Sequence, residues 1–366
     1  MTPRFSIWLL IPLMALIIWP FRYFVHRPGR HPDNSRIAEW HDTSSVDLEK
    51  KGTALVVGMY NLENFFDTID EANDDAEFLP TSKGQWTSPR YQTKVSHMAK
   101  VIAAMNDGQS PDLLGLSEVE NQLVLEDLIR DPQIAGRFQI VHYESPDARG
   151  IDVALLYKPD KFKVAASKPI RVTLPDDSTF KTRDILWVTG LVKGKDTLNV
   201  FVNHWPSRRG GEKESEPKRE AAAKTLRTYV DALRQNPKSR IVIVGDFNDE
   251  PTNESISTVL GALPGLRDKC ATCLYDPMFE LKKQKLGSYF YDNGWDMIDQ
   301  VIFTENLADK SYFKGDLSNV VIFQQDWMMF TDEKTGKSRP NRTYAGPIYK
   351  GGYSDHLPVY AKLVVR

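Results

Sequence analysis

Ile241-Val242-Ile243-Val244-Gly245-Asp246-Phe247-Asn248 is a wholly apolar run that ends in a carboxylate and a carboxamide two residues apart. Four consecutive β-branched residues read as a buried strand. Gly245 predicts a tight turn, and the period of two aims Asp246 and Asn248 the same way at the strand's exit. An aspartate so placed binds a metal or accepts a proton. An asparagine donates to a phosphate oxygen without adding negative charge. Taken alone, the segment is equally well read as an ordinary Asp-x-Asn turn after a strand.

Four further stretches repeat the arrangement. Asn61-Leu62-Glu63-Asn64 follows the run Val56–Met59. In Ser117-Glu118-Val119-Glu120, Glu118 ends the run Leu113–Leu116, where a buried carboxylate is costly unless a cation or donors compensate. In Asn203-His204-Trp205-Pro206-Ser207, the proline fixes φ behind His204, and Ser207, Arg208 and Arg209 then offer donors for phosphate. Ser354-Asp355-His356 precedes Leu-Pro-Val-Tyr, and an imidazole beside a carboxylate can ligate metal or hydrogen-bond an oxygen on phosphorus. Each stretch alone also occurs as an inert turn. Five strand exits of one kind make coincidence a poor explanation. Oxygen and carboxamide donors without a Cys/His cluster select Mg²⁺, Mn²⁺ or Ca²⁺ over structural zinc.

Outward from these exits, strand-like runs alternate with helical patterns. Strands are predicted at Thr53–Met59, Asp112–Leu116, Phe138–His142, Asp152–Tyr157, Ile170–Leu174, Ile185–Val192 and Leu198–Asn203. Further strands are predicted at Ile241–Gly245, Ile298–Phe303, Val320–Phe323 and Leu357–Val365. Helical patterns cover Tyr91–Met105, Leu123–Arg130, Glu214–Gln235 and Glu254–Leu260. Four or five successive strands without intervening helices argue against a simple doubly wound sheet. They favour packed sheets with helices outside, as one α/β domain.

The series Asn61, Glu118, His204, Asp246-x-Asn248, Asp299 and Asp355-His356 resembles the endonuclease/exonuclease/phosphatase superfamily in the order of its motifs. Pancreatic-type deoxyribonucleases, exonuclease III-like enzymes, sphingomyelinases and inositol polyphosphate 5-phosphatases belong to it. The likeness runs from about Thr53 to Arg366. It implies a four-layer sandwich of two packed mixed β-sheets flanked by helices, with the site at one edge. By the same resemblance Glu118 is the main metal ligand, with Asp355 and Asn61 nearby. Asp246 activates or orients the attacking water, and Asn248 contacts the scissile phosphate. Asp299 orients His356, and His204 is a second phosphate-contacting histidine with Asp152 as its partner. Arg149, Asp152, Ser207 and Arg208 are substrate-binding candidates, although a solvated loop arginine describes Arg149 as well. Glu63 stands where some DNA-repair members have aspartate, which leaves its ligand role open. Gln300 replaces the aromatic that often follows the family aspartate.

The chain has 366 residues, 41% hydrophobic and 26% charged, enough for a large core. A formal net charge of −2 provides no global field for a polyanion, which has to be met by a local patch or through metal. Residues 1–30 stand apart: Arg4 precedes an apolar run from Phe5 to Phe21, with Arg22, Arg27 and Arg30 beyond. As a helix the run spans roughly 25 Å against a bilayer core of about 30 Å. No Ala-x-Ala site and no following cysteine accompany it, so it reads as an uncleaved signal-anchor. Arginine counting points the C-terminal side to the cytoplasm, whereas the secretory character points outward. The expectation is an exported or membrane-anchored protein with an extracytoplasmic catalytic domain, the cytoplasm-facing orientation staying open. Residues 31–52 read as a linker and 53–366 as the catalytic domain, monomeric. Cys270 and Cys273, the only cysteines, suit a local disulfide in an oxidising compartment, with inert thiols as the alternative.

These readings predict a Mg²⁺- or Mn²⁺-dependent phosphodiesterase acting on nucleic acid. A lipid- or inositol-phosphate phosphatase or phosphodiesterase is the alternative. Against it stand Asp249-Glu250-Pro251 without a basic residue, no Trp-Cys-Asp-Arg element and no obvious exposed aromatic hairpin. A non-catalytic binding protein would have lost Asp246, Asn248 or His356, and none is lost. Substrate choice falls to two opposed loops. Phe65–Thr87 is acidic and Gln324–Tyr353 basic and aromatic, a mix suited to bases and phosphates.

Overall fold

The computed structural model describes residues 53–265, 272–308 and 319–365. The N-terminal apolar segment, the linker and Cys270 lie outside these residues. Thirteen strands build two large sheets. In chain order these are β1 (Thr53–Phe65), β2 (Leu113–Val119), β3 (Gln139–His142), β4 (Asp152–Tyr157), β5 (Phe162–Ile170), β6 (Ile185–Val192) and β7 (Asp196–His204). There follow β8 (Arg240–Asp246), β9 (Ala262–Leu263), β10 (Leu274–Tyr275), the hairpin pair β11 (Tyr289–Tyr291) and β12 (Gly294–Asp296), then β13 (Asp299–Phe303) and β14 (Val320–Ile322). Two more hairpins, β15 (Met329–Thr331) with β16 (Ser338–Pro340) and β17 (Tyr344–Ala345) with β18 (Ile348–Tyr349), precede β19 (Val359–Val365). One sheet runs β14-β19-β1-β2-β4-β3 and the other β5-β6-β7-β8-β13-β10-β9. Both are mixed, since β1 lies parallel to β2 and β7 parallel to β8 while the flanking pairs are antiparallel.

Side-chain alternation sorts β8 into two cores. Val242 and Val244 join the large core between the sheets, whereas Ile241 and Ile243 join a second core beneath a helix. That helix, α3 (Glu212–Arg234), applies Ala222, Leu226 and Val230 to the outer face of the seven-stranded sheet. The other outer layer holds α1 (Ser88–Ala104) and α2 (Gln122–Arg130), with Val95, Met98, Ile102 and Leu125 packed into the core around the six-stranded sheet. The result is the four-layer α/β sandwich expected. Contact between the sheets is close at Gly115, where a Cβ would lie 2.6 Å from Val244 and 3.0 Å from Val202.

Two local expectations fail for physical reasons. The strand expected at Ile170–Leu174 instead occupies Phe162–Ile170. It is a sheet edge with mostly exposed side chains, so no apolar run marks it, and Pro169 is tolerated because edge strands need not donate from every N–H. Gly245 does not turn the chain: it sits inside β8, where a Cβ would come within 2.7 Å of the Asn203 Cβ on β7. The glycine permits close strand approach.

Candidate active site

Strand register assembles the core of the site. Asp246, at the end of β8, pairs with His204 on one side and Asp299 on the other. Residues opposite one another across strands share a face, so three functional side chains form one row at the sheet edge. His356 enters from the loop before β19 and bonds through Nδ1 to Asp299 Oδ2 at 2.7 Å. Its Nε2 lies 3.8 Å from Asp246 Oδ2. Asp299 is fully buried and also accepts from Ser288 Oγ at 2.6 Å, which fixes the carboxylate that aims the ring.

The row is electrostatically polarised. Burial alone disfavours the His356 imidazolium, but the Asp299 charge and hydrogen bond, with Asp246 and Asp355, overcome it and lift the group to about 10. Asp246 is pushed up to about 7, by burial first and then by the Asp299 charge. Its oxygens are held by Asn61 Nδ2 at 2.9 Å and the Asn248 backbone N–H at 2.9 Å. His204 is driven well below the ordinary histidine range by burial and by Arg183 and Arg149. It is therefore neutral, and its 3.6 Å approach to Asp246 through Nε2 is no ion pair. Among the described residues its buried Nδ1 has no hydrogen-bond partner.

The six-stranded sheet contributes its groups differently. The β1–β2 ladder breaks between Asn61 and Phe65, and the β2–β4 ladder between Ser117 and Val119. Within these irregularities Glu63, Asn64 and Glu118 take left-handed backbone with φ of 52°, 49° and 58°. Each conformation is strained for a side-chain-bearing residue, and such strain and bulging concentrate where side chains must be re-aimed. Glu118 Oε2 accepts from the Asn64 N–H at 2.7 Å, while its Oε1 lies 3.8 Å from Arg149 Nη1.

A cavity of about 830 Å³ spans both edges, lined by Glu118, Arg149, His204, Ser207, Arg208, Asp246, Asn248, Asp355 and His356 among others. Nine of the twelve expected residues thus line one hollow, with Asp299 buried directly behind His356. Arg208 is anchored by Nε to the Asn248 carbonyl at 2.7 Å, and Asn248 Nδ2 donates to the Trp205 carbonyl at 3.0 Å. Arg149 holds Asn64 Oδ1 through Nη2 at 2.5 Å.

One assignment needs correction. Asp152 does not partner His204: it binds His142 Nε2 at 3.0 Å and the Ser145 N–H at 2.8 Å, is almost wholly buried, and lies outside the cavity lining. Strand pairing of β3 with β4 brings His142 to it. Asn61 uses Oδ1 to accept the Glu63 N–H and Nδ2 to hold Asp246, so it clamps the aspartate.

Several site residues escaped the sequence reading. Arg183 is buried and donates to the His204 carbonyl at 3.2 Å, the Trp205 carbonyl at 2.6 Å and Asp147 at 2.9 Å. Arg342 bridges Glu63 Oε1 at 3.1 Å and Asp355 Oδ2 at 2.6 Å. Lys94, buried in α1, lies 3.9 Å from Glu63. Tyr289 packs its ring 4.6 Å from His356. Their only sequence signal was basic or aromatic character, with nothing to pair them.

A divalent cation fits the donor set. Glu118 and Asp355 present hard oxygens to the same cavity, both side chains partly open at 15% and 18% exposure. Buried Glu63, pushed up to about 7 by burial and by Asp355, is already satisfied by Arg342 and the Thr343 N–H.

Two packed mixed sheets, with a His–Asp–Asp row facing carboxylates across one cavity, define a metal-dependent hydrolase of phosphate esters. The chain belongs to the Endonuclease/Exonuclease/phosphatase family, whose model matches residues 56–365. Among solved structures, an endonuclease/exonuclease/phosphatase family protein from Bacteroides thetaiotaomicron is 18% identical with a TM-score of 0.53, over 86% of this chain and 99% of that chain. A humanized D. rerio TDP2 is 14% identical with a TM-score of 0.51, over 85% and 98%. A mannosyl-6-phosphatase from Bacteroides thetaiotaomicron VPI-5482 is 17% identical with a TM-score of 0.51, over 85% and 99%. At these identities the likeness is one of fold. No curated protein matches the chain.

Proposed function

We propose that the protein is a Mg²⁺-dependent phosphodiesterase that cleaves nucleic acid, DNA or RNA. The row His204–Asp246–Asp299, closed by His356, carries this reading. Asp246 near neutrality is suited to take the proton of an attacking water. The His356 imidazolium, held by Asp299, donates to a phosphoryl oxygen where charge builds. Neutral His204 and the Asn248 carboxamide position the phosphate without adding charge. Glu118 and Asp355 would hold the ion, which would supply Lewis-acid polarisation of the phosphoryl oxygen and offset leaving-group charge. Arg149, Arg208 and Arg209 on the cavity rim supply cations for flanking phosphates.

Nucleic acid is favoured by the hairpin β11–β12 at the cavity mouth. Tyr291 is 65% exposed and stacks on Tyr289 with ring centroids 6.2 Å apart, a platform for bases. A second reading, action on lipid phosphates, draws on the β15–β16 hairpin. Phe330 is 42% exposed there beside Lys334, Lys337 and Arg339, an aromatic hairpin that the sequence reading had not found.

The test is hydrolysis by the full chain with Mg²⁺ of plasmid DNA, RNA, sphingomyelin vesicles and inositol phosphates, beside His356→Ala. Cleavage of DNA or RNA, lost in the variant, is expected. Cleavage of the vesicles alone would replace this reading with the second.

We further propose that residues 1–30 anchor the domain on the outer side of a membrane. The apolar run and the disulfide-bonded state of Cys273 support it. Among the described residues no helix is long and apolar enough to cross a membrane. Protease digestion of the domain only after the inner membrane is opened would refute the outward placement.

A further inference from the structure

The two loops that the sequence reads as opposed, one acidic and one basic-aromatic, meet in the structure. Tyr344 donates its hydroxyl to the Gly84 carbonyl at 2.9 Å, and its ring lies 5.9 Å from Trp86. Trp86 in turn donates Nε1 to the Phe66 carbonyl at 3.0 Å, and Phe66 stacks on Phe78 at 4.1 Å with rings nearly parallel at 6°. Between the loops lies a second cavity of about 590 Å³, with Phe78, Trp86 and Tyr344 in its lining. That is the size range of small-ligand pockets, and far more than a phosphate needs.

The cavity stands one side chain away from the catalytic hollow. Its lining includes Glu63, Asn64 and Arg342. Arg342 reaches from Glu63 to Asp355, and the Asn64 N–H reaches Glu118. A ligand phosphate at the carboxylate edge therefore places its next group in this second cavity. The walls state what that group is. Three aromatic rings offer flat apolar surface, and the polar side chains beside them are Glu63, Asn64, Arg342 and Thr343, exposed Glu77 and Lys83, and Ser82, whose buried Oγ has no hydrogen-bond partner among the described residues. A bare sugar ring has no π-face to stack on these rings. A flat heteroaromatic ring with one or two edge polar atoms matches both features.

We infer that this cavity is a nucleobase subsite, taking the base of the nucleoside that flanks the phosphate at the metal-side carboxylates. The inference rests on the nucleic-acid reading and deepens it by placing substrate selection in the meeting of the two loops. Phe78 and Tyr344 provide the rings, Ser82 Oγ a contact to a base edge, and Arg342 the link between base and phosphate.

Adenosine 5′-monophosphate and ribose 5-phosphate differ only by the base, so their affinities isolate this subsite. Equilibrium dialysis with the full chain in Mg²⁺ is expected to show the adenylate binding about tenfold or more tighter, the scale of one aromatic–base stack. Tyr344→Ala, and Ala76→Trp, which fills the cavity from an exposed lining position, should bring the two ligands within about twofold. Tyr344→Phe, which keeps the ring and loses the hydroxyl contacts to Gly84 and Arg90, should retain most of the difference. The inference is overturned if the unmodified chain binds both ligands alike, or if Tyr344→Ala and Ala76→Trp both keep the full preference. Nucleic-acid cleavage is read separately. Cleavage with no base preference in binding rejects the subsite alone, whereas base preference without cleavage of any nucleic acid rejects the proposed reaction and leaves the subsite standing.

Discussion

The two sheet edges bring residues to the same cavity by opposite means. On the seven-stranded sheet, ladder register alone sets His204, Asp246 and Asp299 in a row, and all three are buried. On the six-stranded sheet, regular pairing stops at Asn61 and Ser117, and left-handed residues deliver Glu63, Asn64 and Glu118. Charge follows the same division. The first edge keeps its histidine–aspartate pairs dry, which raises their coupling, whereas Glu118 and Asp355 stay partly open beside Arg149 and Arg342. Fixed geometry suits proton and phosphate contacts; adjustable, half-exposed oxygens suit an exchangeable ion. A rigid row and a sprung one make one site.

The largest expected effect breaks the rigid edge. Asp246→Asn keeps the shape but removes the base, and kcat should fall about 10²–10⁴-fold in a single-turnover assay. Next comes the sprung edge: Glu118→Gln should weaken Mn²⁺ binding by more than the roughly 10–100-fold typical of losing an outer-shell partner, read by metal titration.

The pH profile separates the edges further. Asp246 has to lose a proton, so kcat/KM should rise as pH climbs through about 7. His356 has to keep one, so kcat/KM should fall as pH climbs through about 10. Asp299→Asn removes the largest charge that lifts His356, so the falling limb should move to lower pH while the rising limb is not raised. An unmoved falling limb in Asp299→Asn would deny His356 that role.

Sequence legibility divided along the same line. Continuous apolar runs made the rigid strands readable, and Asp152–Tyr157 and Ile185–Val192 agree with the structure end to end. The exits of β1 and β2 were recognised as functional, but not their left-handed backbone. Glu63, Asn64 and Glu118 carry none of the glycine that usually marks it. The cations were hidden for another reason: Arg342 and Glu63 are 279 residues apart, and no local pattern joins them. Asp152 was given to His204 by the family resemblance alone. The β3–β4 hairpin supplied a nearer histidine, His142.

The smallest effect probes stored strain. At φ 49°, Asn64→Ala should lower stability by about 1 kcal/mol, since alanine lacks the polar side chain that eases left-handed backbone. Asn64→Gly should stay within about 0.5 kcal/mol, relief of strain being offset by added freedom in the unfolded chain. Urea unfolding of both variants compares them. An equal loss in both would place the effect in the Arg149 contact instead.

The most direct test of this division of labour crosses the two edges in one experiment. Mn²⁺ affinity and kcat at saturating Mn²⁺ are measured for the full chain, Glu118→Gln and Asp246→Asn. The expected result is that Glu118→Gln loses Mn²⁺ affinity while Asp246→Asn loses kcat and keeps affinity within about twofold, as for a group that acts on the proton and not the ion. A loss of Mn²⁺ affinity in Asp246→Asn as large as that in Glu118→Gln would contradict it.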